Sequence, residues 1–278
     1  VLDMDAATSA FGLAEVVDEN MANAARVHAV ENGEDLSEYT MIAFGGAAPL
    51  HAGRLCEKLG VNRLLVPQGA GVGSAIGFLR APFSFEANRS VYMTLAGFDP
   101  EKIKALLTDL QSEATGFVRN CDATSPILSE FKAYMRYSGQ GWEIPITLTQ
   151  EQAMNPDVTT FQDRFVEDYV KLFGRAVAGM DIEITVWSVN ATTPPETVPR
   201  VTEDAGSSAA AVHGDRNLFD PALSDFVKAS VVLRDDMIVG AIAQGPAVIT
   251  EDETTIIVPS SFVAVRQPDG CIDLRRKG

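Results

Sequence analysis

The stretch MIAFGGAAPLHAGRLCEKL, residues 41–59, has the pattern of a buried strand that runs through two glycines directly into a helix. Its first four residues are apolar and suit a strand in the interior of a sheet. Gly45 and Gly46 lack a Cβ, so the chain can bend sharply there and a ligand can approach the backbone. Pro49 fits the first turn of a helix, and Gly60 can end that helix. The stretch therefore predicts one strand–turn–helix unit.

A turn of this kind has two interpretations. It directs free backbone N–H groups at the space above the sheet, which suits a nucleotide or another anion. It can equally be a tight turn with a purely structural role, because many α/β units carry such glycines. Asn62–Pro67 follows as a second short apolar strand. The strand–helix–strand order predicts that the two strands pair in parallel.

The next segment, GAGVGSAIGFL at residues 69–79, contains several glycines. Its spacing differs from that of a dinucleotide-binding loop, and no acidic residue stands at the end of a following strand to bind a ribose. We interpret the segment as a helix in which small residues allow close packing against another element: Gly73, Ser74, Ala75 and Gly77.

The N-terminal region predicts a helix over Asp5–Val30, capped by Asp3 or Asp5 and ended by Asn32–Gly33. Its apolar positions recur with the helical period and form one stripe. These positions are Leu13, Val16, Val17, Met21, Ala24 and Ala25. His28 lies on or beside the stripe, where a packing role is favoured. The Val at position 1, with no strand before the helix, indicates a fragment.

Beyond Pro82 the pattern changes, and we divide the chain into segments 1–82, 83–195 and 196–278. The middle segment reads as α+β, and the last as a linker followed by a β-rich module. The predicted elements of the middle segment are a strand at Ser84–Leu95, a helix at Asp99–Asn120, a hairpin at Phe131–Leu148, a helix with an aromatic core stripe at Phe161–Phe173 and a strand at Asp181–Asn190. Those of the last segment are a linker at Thr192–Ala211, strands at Ala229–Arg234, Ala247–Thr250, Thr254–Val258, Phe262–Arg266 and Cys271–Leu274, and a hairpin turn at Asp269–Gly270.

Composition excludes several classes of partner. A net charge of −16 over 278 residues argues against a nucleic-acid backbone or an anionic membrane surface as partner. No apolar run approaches the roughly 20 residues that span a bilayer, and we expect no signal peptide. Three scattered cysteines without CxxC spacing indicate free thiols and a cytoplasmic location. With three histidines, no metal site is expected from this chain alone.

Few residues are candidates for catalysis, and none of the familiar hydrolase or phosphate-loop motifs is present. His51 lies in the first turns of the helix that follows Gly45 and Gly46. Its cationic form is disfavoured near a helix N-terminus, so it is either a neutral donor or acceptor near a ligand or a packing residue. The acidic pairs Asp235–Asp236 and Glu251–Asp252 are interpreted as solvated loop charges. Arg136, Tyr137 and Gln140 form a polar cluster that we interpret as part of a structural turn.

Four stretches together resemble the hydantoinase A/oxoprolinase family. Ala43–Val61, AFGGAAPLHAGRLCEKLGV, resembles that family's signature AFGGAGPLHA. The others are NRLLVPQGAGVGSAIGFLRAP at residues 62–82, MRYSGQGWEIPI at 135–146 and GPAVITEDETTIIVP at 245–259, which occur in the family's order. One departure is Ala48, where the family usually has glycine; it alters the turn slightly and leaves the double glycine intact.

The resemblance implies an α/β fold that forms the second lobe of an actin-like ATPase, similar to hexokinase and heat-shock chaperones, followed by a β-rich α+β C-terminal domain. It implies that the double-glycine turn contacts the adenosine side of ATP. The cofactor-binding residues are then Phe44, Gly45, Gly46, Ala47 and Pro49, with His51 as the candidate catalytic residue.

The resemblance also implies the activity. Family members open ring amides such as hydantoins and 5-oxoproline, using ATP to phosphorylate a carbonyl oxygen, and related subunits serve acetone and acetophenone carboxylases. A ketone carboxylase subunit and a non-catalytic interaction module are the alternatives. The family's DxGGTxxD-type phosphate loop is not found in these residues. The phosphate and Mg²⁺ ligands are therefore expected from an N-terminal lobe or companion chain, with a hydantoinase B-type subunit and a small-molecule substrate as further partners and no independent turnover.

Overall fold

A computed structural model describes residues 5–198 and 200–278 and separates them into two compact units. The first unit contains the described residues of Val1–Leu79 and Val198–Gly278, and the second contains Arg80–Thr197. The first and last of the three predicted segments, 1–82 and 196–278, contribute strands to one sheet of the first unit. No helix within the described residues combines the length and the apolar character needed to cross a bilayer.

The N-terminal elements follow the predicted order: α1 (Ala6–Asn32), β1 (Thr40–Ile42), α2 (Ala48–Leu59), β2 (Arg63–Val66) and α3 (Gly73–Arg80). The Asp5 carboxylate caps α1 by accepting a hydrogen bond from the Thr8 N–H at 2.7 Å. Gly33 and Gly60 end α1 and α2 with φ values of 70° and 72°. β1 and β2 pair in parallel, with Met41 opposite Leu64. The caps and the parallel pairing are confirmed.

The buried face of α1 is not its apolar stripe. Leu13 and Val16 on the predicted stripe are 72% and 59% exposed, whereas Asp18, Ala22 and Ala29 are buried. The polar contacts between α1 and α2 include the ion pairs of Glu15 with Arg54 and Lys58 and a hydrogen bond from Arg26 to the Lys58 carbonyl oxygen. Periodicity identifies an apolar face, but it does not tell which face packs within the chain. The helix is therefore confirmed, and most of its apolar stripe is exposed among the described residues.

The close contacts predicted for α3 occur just before it. A Cβ built on Gly77 would meet no atom of the described residues within 4 Å, whereas one on Gly71 would lie 2.8 Å from the Glu253 carbonyl oxygen. Gly71 belongs to a 3₁₀ turn, Ala70–Val72, that precedes the helix. The glycine that permits close packing is thus in the loop and not in the helix.

The second unit is an antiparallel sheet covered by helices. Its elements are β3 (Ser84–Arg89), β4 (Met93–Thr94), α4 (Pro100–Cys121), β5 (Leu128–Tyr137), β6 (Ile144–Leu148), α5 (Gln150–Met154), α6 (Val158–Phe173) and β7 (Ile182–Thr192). The strand order is β3-β7-β5-β6, and β4 also pairs with β7. The hairpin β5–β6 and the capped helix α4 are confirmed. Phe161, Phe165 and Tyr169 of the predicted stripe are buried, while Phe173 is exposed.

The C-terminal elements are all strands apart from a short 3₁₀ turn at Arg234–Asp236: β8 (Ser208–Ala209), β9 (Gly214–Asp220), β10 (Asp225–Leu233), β11 (Ala241–Gln244), β12 (Ala247–Thr250), β13 (Thr255–Val258), β14 (Phe262–Arg266) and β15 (Ile272–Arg276). One sheet has the order β13-β12-β10-β9. The other has the order β1-β2-β15-β14-β11-β8, because β15 pairs with β2. This pairing joins the two ends of the chain in one mixed sheet.

Candidate functional site

The double-glycine turn is held by backbone hydrogen bonds and by one unusual φ angle. Gly45 has a φ of 104°, which residues with a Cβ rarely adopt. Its N–H donates to the Ala70 carbonyl oxygen at 2.6 Å, and the Ala43 N–H donates to the Leu65 carbonyl oxygen at 2.9 Å. Gly46 has no positive φ, and a Cβ on it would lie 3.7 Å from the Glu253 carbonyl oxygen, an ordinary contact. The backbone conformation thus requires glycine at position 45, whereas position 46 has room for a side chain.

The loop before β13 packs against the turn. Thr254, only 7% exposed, donates from Oγ1 to the Gly46 carbonyl oxygen at 2.6 Å. The neighbouring Glu253 lies so close to Gly71 that a Cβ on this glycine would overlap its backbone. Three stretches that are far apart in sequence, around residues 43–47, 69–73 and 253–254, therefore meet in the first unit. The fourth stretch of the resemblance, residues 135–146, belongs to the second unit.

The predicted cofactor-binding residues divide into a surface group and a buried one. Phe44 is 58% exposed, and Gly46 and Ala47 are also exposed. Pro49 is buried in the first turn of α2. Ala47 is the N-cap of α2 and gives it no side-chain hydrogen bond. The backbone donors at the start of α2 are therefore not capped by a side chain, which leaves them suited to an anion or a polar ligand group.

Ala48 fits its position without strain. It is the first residue of α2 and packs at the edge of the core of the first unit. Its φ is not positive: among the described residues other than glycine, a positive φ occurs at Ser224. The alanine that replaces the family's usual glycine is therefore compatible with the turn.

His51 faces α1. Its Nδ1 lies 2.7 Å from Oδ1 of Asp18, whose side chain is almost completely buried. The same helix pair carries ion pairs of Arg54 with Glu15 at 2.8 Å and of Lys58 with Glu15 and Glu19 at 2.9 Å each. His51 is thus one member of an interhelical ladder with acidic groups on α1 and basic groups on α2. The geometry gives it a structural partner that sequence reasoning missed, although matching charges at helical spacing on both segments were a usable signal.

The ladder perturbs its carboxylates. Hydrogen bonds from Lys58 and Arg26 lower the pKa of Glu19 to about 2, and the Arg54 guanidinium lowers the pKa of Glu15. Both carboxylates are therefore held in the ionised form at neutral pH.

Glu251 is not the solvated loop charge that the sequence predicted. It pairs at 2.8 Å with Arg234, which is 2% exposed and also donates to the carbonyl oxygens of Val66 and Gly270. Burial raises the pKa of Glu251. The Glu251 N–H donates to the Thr254 carbonyl oxygen at 3.1 Å. This ion pair thus anchors the start of the loop whose end holds the double-glycine turn. Asp235 and Asp236, by contrast, are exposed as predicted.

The polar hairpin residues of the second unit have structural partners, as predicted. Arg136 pairs with Glu183 at 3.0 Å, and Gln140 donates to the Tyr169 hydroxyl at 2.8 Å. The Tyr137 hydroxyl accepts a hydrogen bond from a backbone N–H. In the part of the chain that the structure describes, no group of three or more His, Cys, Asp or Glu side chains is arranged to hold a metal ion.

Comparison with known proteins accounts for nearly the whole chain. Residues 1–87 match the family model for hydantoinase/oxoprolinase, and residues 99–274 match the model for the hydantoinase/oxoprolinase C-terminal domain. The chain belongs to the hydantoinase/oxoprolinase family. It is 25% identical to the caprolactamase subunit alpha of Pseudomonas jessenii, over 96% of this chain and 39% of that protein. It is also 25% identical to the 5-oxoprolinase of Saccharomyces cerevisiae, over 96% of this chain and 21% of that protein.

A solved structure shows the same fold. The nucleotide-free structure of acetone carboxylase, an enzyme of ATP-dependent acetone carboxylation, matches with a TM-score of 0.73 at 22% identity. The match covers 96% of this chain and 39% of that chain. This family member is therefore a mixed α/β protein with several sheets, and it spans about two-fifths or less of the length of these relatives.

Proposed function

We propose that the chain is the C-terminal part of an ATP-dependent subunit of the hydantoinase/oxoprolinase type, which activates a cyclic amide for ring-opening hydrolysis. The observation that carries the proposal is the meeting of three distant stretches at one open double-glycine turn, directly before a helix whose N-terminus has no side-chain cap. In this proposal the turn belongs to the second lobe of an actin-like ATPase.

The residues at the turn fit the adenosine end of a nucleotide. Gly45, Gly46 and Ala47 offer backbone atoms, and Phe44 offers an exposed aromatic ring that can cover an apolar surface. None of these four residues carries a positive charge to match a triphosphate. The groups that hold the phosphates and Mg²⁺ are therefore assigned to an N-terminal lobe or companion chain. Pro49 has a supporting role, because it is buried and has no N–H to donate.

ATP, when bound, supplies the phosphoryl group that turns a carbonyl oxygen into a good leaving group. This chain's residues contribute by binding and orienting the nucleotide from one side, and its backbone donors do so without reorganisation. The relatives fit this role, since they include a caprolactamase subunit and a 5-oxoprolinase. We also propose a hydantoinase B-type subunit as partner. His51 stays a candidate catalytic residue only if its second ring nitrogen reaches the substrate.

The test is reconstitution with the N-terminal lobe and the B-type subunit, followed by ATPase assays with separate substrates. Stimulation of ATP hydrolysis by hydantoin, 5-oxoproline or caprolactam is the expected result. Stimulation only by acetone or acetophenone with bicarbonate contradicts the ring-amide assignment and favours a ketone carboxylase. The similarity of the chain to an acetone carboxylase beta subunit supports this alternative. No stimulation by any of them favours a non-catalytic interaction module.

A further inference from the structure

We infer that Thr254 is a positioning residue for the double-glycine turn: its hydroxyl fixes the Gly46–Ala47 peptide plane so that the Ala47 N–H is presented outward as a hydrogen-bond donor. The role of this N–H toward a nucleotide rests on the proposed function. The orientation of the peptide does not.

The Gly46–Ala47 peptide is held from its carbonyl side. The hydroxyl of Thr254 donates to the Gly46 carbonyl oxygen at 2.6 Å, from a side chain that is almost fully buried. The peptide bond is planar and trans, so the Ala47 N–H points opposite to the Gly46 carbonyl. With the carbonyl directed inward at Thr254, the N–H is directed outward. Ala47 is exposed, and no group among the described residues accepts a hydrogen bond from this N–H.

The peptide between Gly46 and Ala47 needs a restraint to keep one orientation. A glycine pair has no side chains to restrict rotation, so the peptide between Gly46 and Ala47 can flip unless something holds it. The Gly45 N–H, two peptides earlier, is held by the Ala70 carbonyl oxygen. Thr254 holds the Gly46 carbonyl oxygen.

The Thr254 side of this contact is itself rigid. Glu251, three residues earlier, is paired with the buried Arg234, and its N–H donates to the Thr254 carbonyl oxygen at 3.1 Å. The intervening Glu253 is packed against Gly71. The loop from Glu251 to Thr254 is therefore anchored at both ends, and it transfers this order to the turn. Fixed donors bind a ligand better than mobile ones because less entropy is lost on binding.

The chain offers a matched set of variants. Thr254→Val removes the hydroxyl and keeps the shape, whereas Thr254→Ser keeps the hydroxyl. Thr255→Val makes the same chemical change at the adjacent position, a half-buried residue of β13. The exchange rate of the Gly45 amide proton, measured by NMR, reports on the turn, because the hydrogen bond of this N–H to the Ala70 carbonyl oxygen depends on the order of the turn.

Thr254→Val should speed exchange at Gly45 about tenfold, the change expected for loss of one hydrogen bond. Thr254→Ser and Thr255→Val should stay near the wild-type rate. Unchanged exchange in Thr254→Val, or equal acceleration in all three variants, overturns the inference.

ATP binding by the same variants, in the complete protein with its N-terminal lobe, separates the orientation of the peptide from its role toward a nucleotide. A selective loss of about tenfold in affinity for Thr254→Val supports the nucleotide role of the Ala47 donor. ATP affinity that is unchanged in Thr254→Val contradicts that role. If the wild-type protein binds no ATP, the proposed function fails, and the exchange rates still decide whether Thr254 positions the turn.

Discussion

Replacing Gly71 by alanine should destabilise the first unit, although the change adds a single methyl group. The new Cβ would lie 2.8 Å from the carbonyl oxygen of Glu253 and 2.9 Å from its carbonyl carbon. Ordinary contacts of a Cβ begin near 3.4 Å. Because the neighbour is backbone, it cannot rotate away, and Glu253 belongs to a loop anchored by the buried ion pair of Arg234 and Glu251.

The expected cost follows from two opposing terms. Overpacking of this kind costs about 1–3 kcal/mol. Alanine reduces the entropy of the unfolded chain and returns about 0.4–1 kcal/mol. The net loss in free energy of unfolding is then about 1–2 kcal/mol. In a unit of this size, each kcal/mol lowers the Tm by roughly 2–4 °C.

Two other glycines of the same unit give matched controls. Gly46→Ala adds a Cβ at an ordinary 3.7 Å from its nearest neighbour and should leave the Tm close to wild type. Gly77→Ala places the Cβ in open space on α3 and should raise stability by up to about 1 kcal/mol through helix propensity. Urea unfolding of the three variants measures the order. A Gly71→Ala protein as stable as Gly77→Ala refutes the packing of the Glu253 loop on Gly71.

Three further outcomes are expected. Burial raises the pKa of Cys56 to about 12, so iodoacetamide at pH 8 should label the exposed Cys121 in the folded protein and leave Cys56 intact until urea is added, as mass spectrometry can show. Arg234→Met leaves Glu251 buried without its partner and should cost about 3–5 kcal/mol in urea unfolding, with partial recovery in the double variant that adds Glu251→Gln; equal losses would exclude a coupled pair. The carboxylates of α1 that pair with Lys58 have lowered pKa values, the lower one about 2, so they contribute stability above pH 4.5 that is lost as the pH falls toward 2. Lys58→Met should flatten this part of the Tm–pH curve, and an unchanged slope would contradict the ladder.

Local signals in the sequence predicted much of the fold. Asp5, Gly33 and Gly60 sit at helix ends because their capping chemistry is local, and the crossover order fixed the parallel pairing of β1 and β2. Strands β9 and β11 were missed, because the first is polar and exposed along most of its length and the second has four residues with two alanines. Such strands form through their neighbours and not through their own pattern.

The double-glycine turn was predicted from the sequence, but the contacts that hold it were not. The double glycine was readable because glycine is required where φ is positive, as at Gly45. The contacts of Thr254 with Gly46 and of Asp18 with His51 join residues 208 and 33 positions apart, and such pairings depend on the tertiary fold. The same limit explains why Glu251 was read as a solvated charge: its partner Arg234 becomes buried only when the sheets assemble.

In the proposed function the double-glycine turn borders the adenosine end of ATP, and calorimetric titration of ATP into the complete protein with Gly46→Val tests this placement. Gly46 is exposed and has no positive φ, so the valine side chain should extend into the ligand's space while the fold is kept. We expect ATP binding to be abolished in Gly46→Val, with a Tm close to wild type. Wild-type ATP affinity in a folded Gly46→Val protein would contradict this placement.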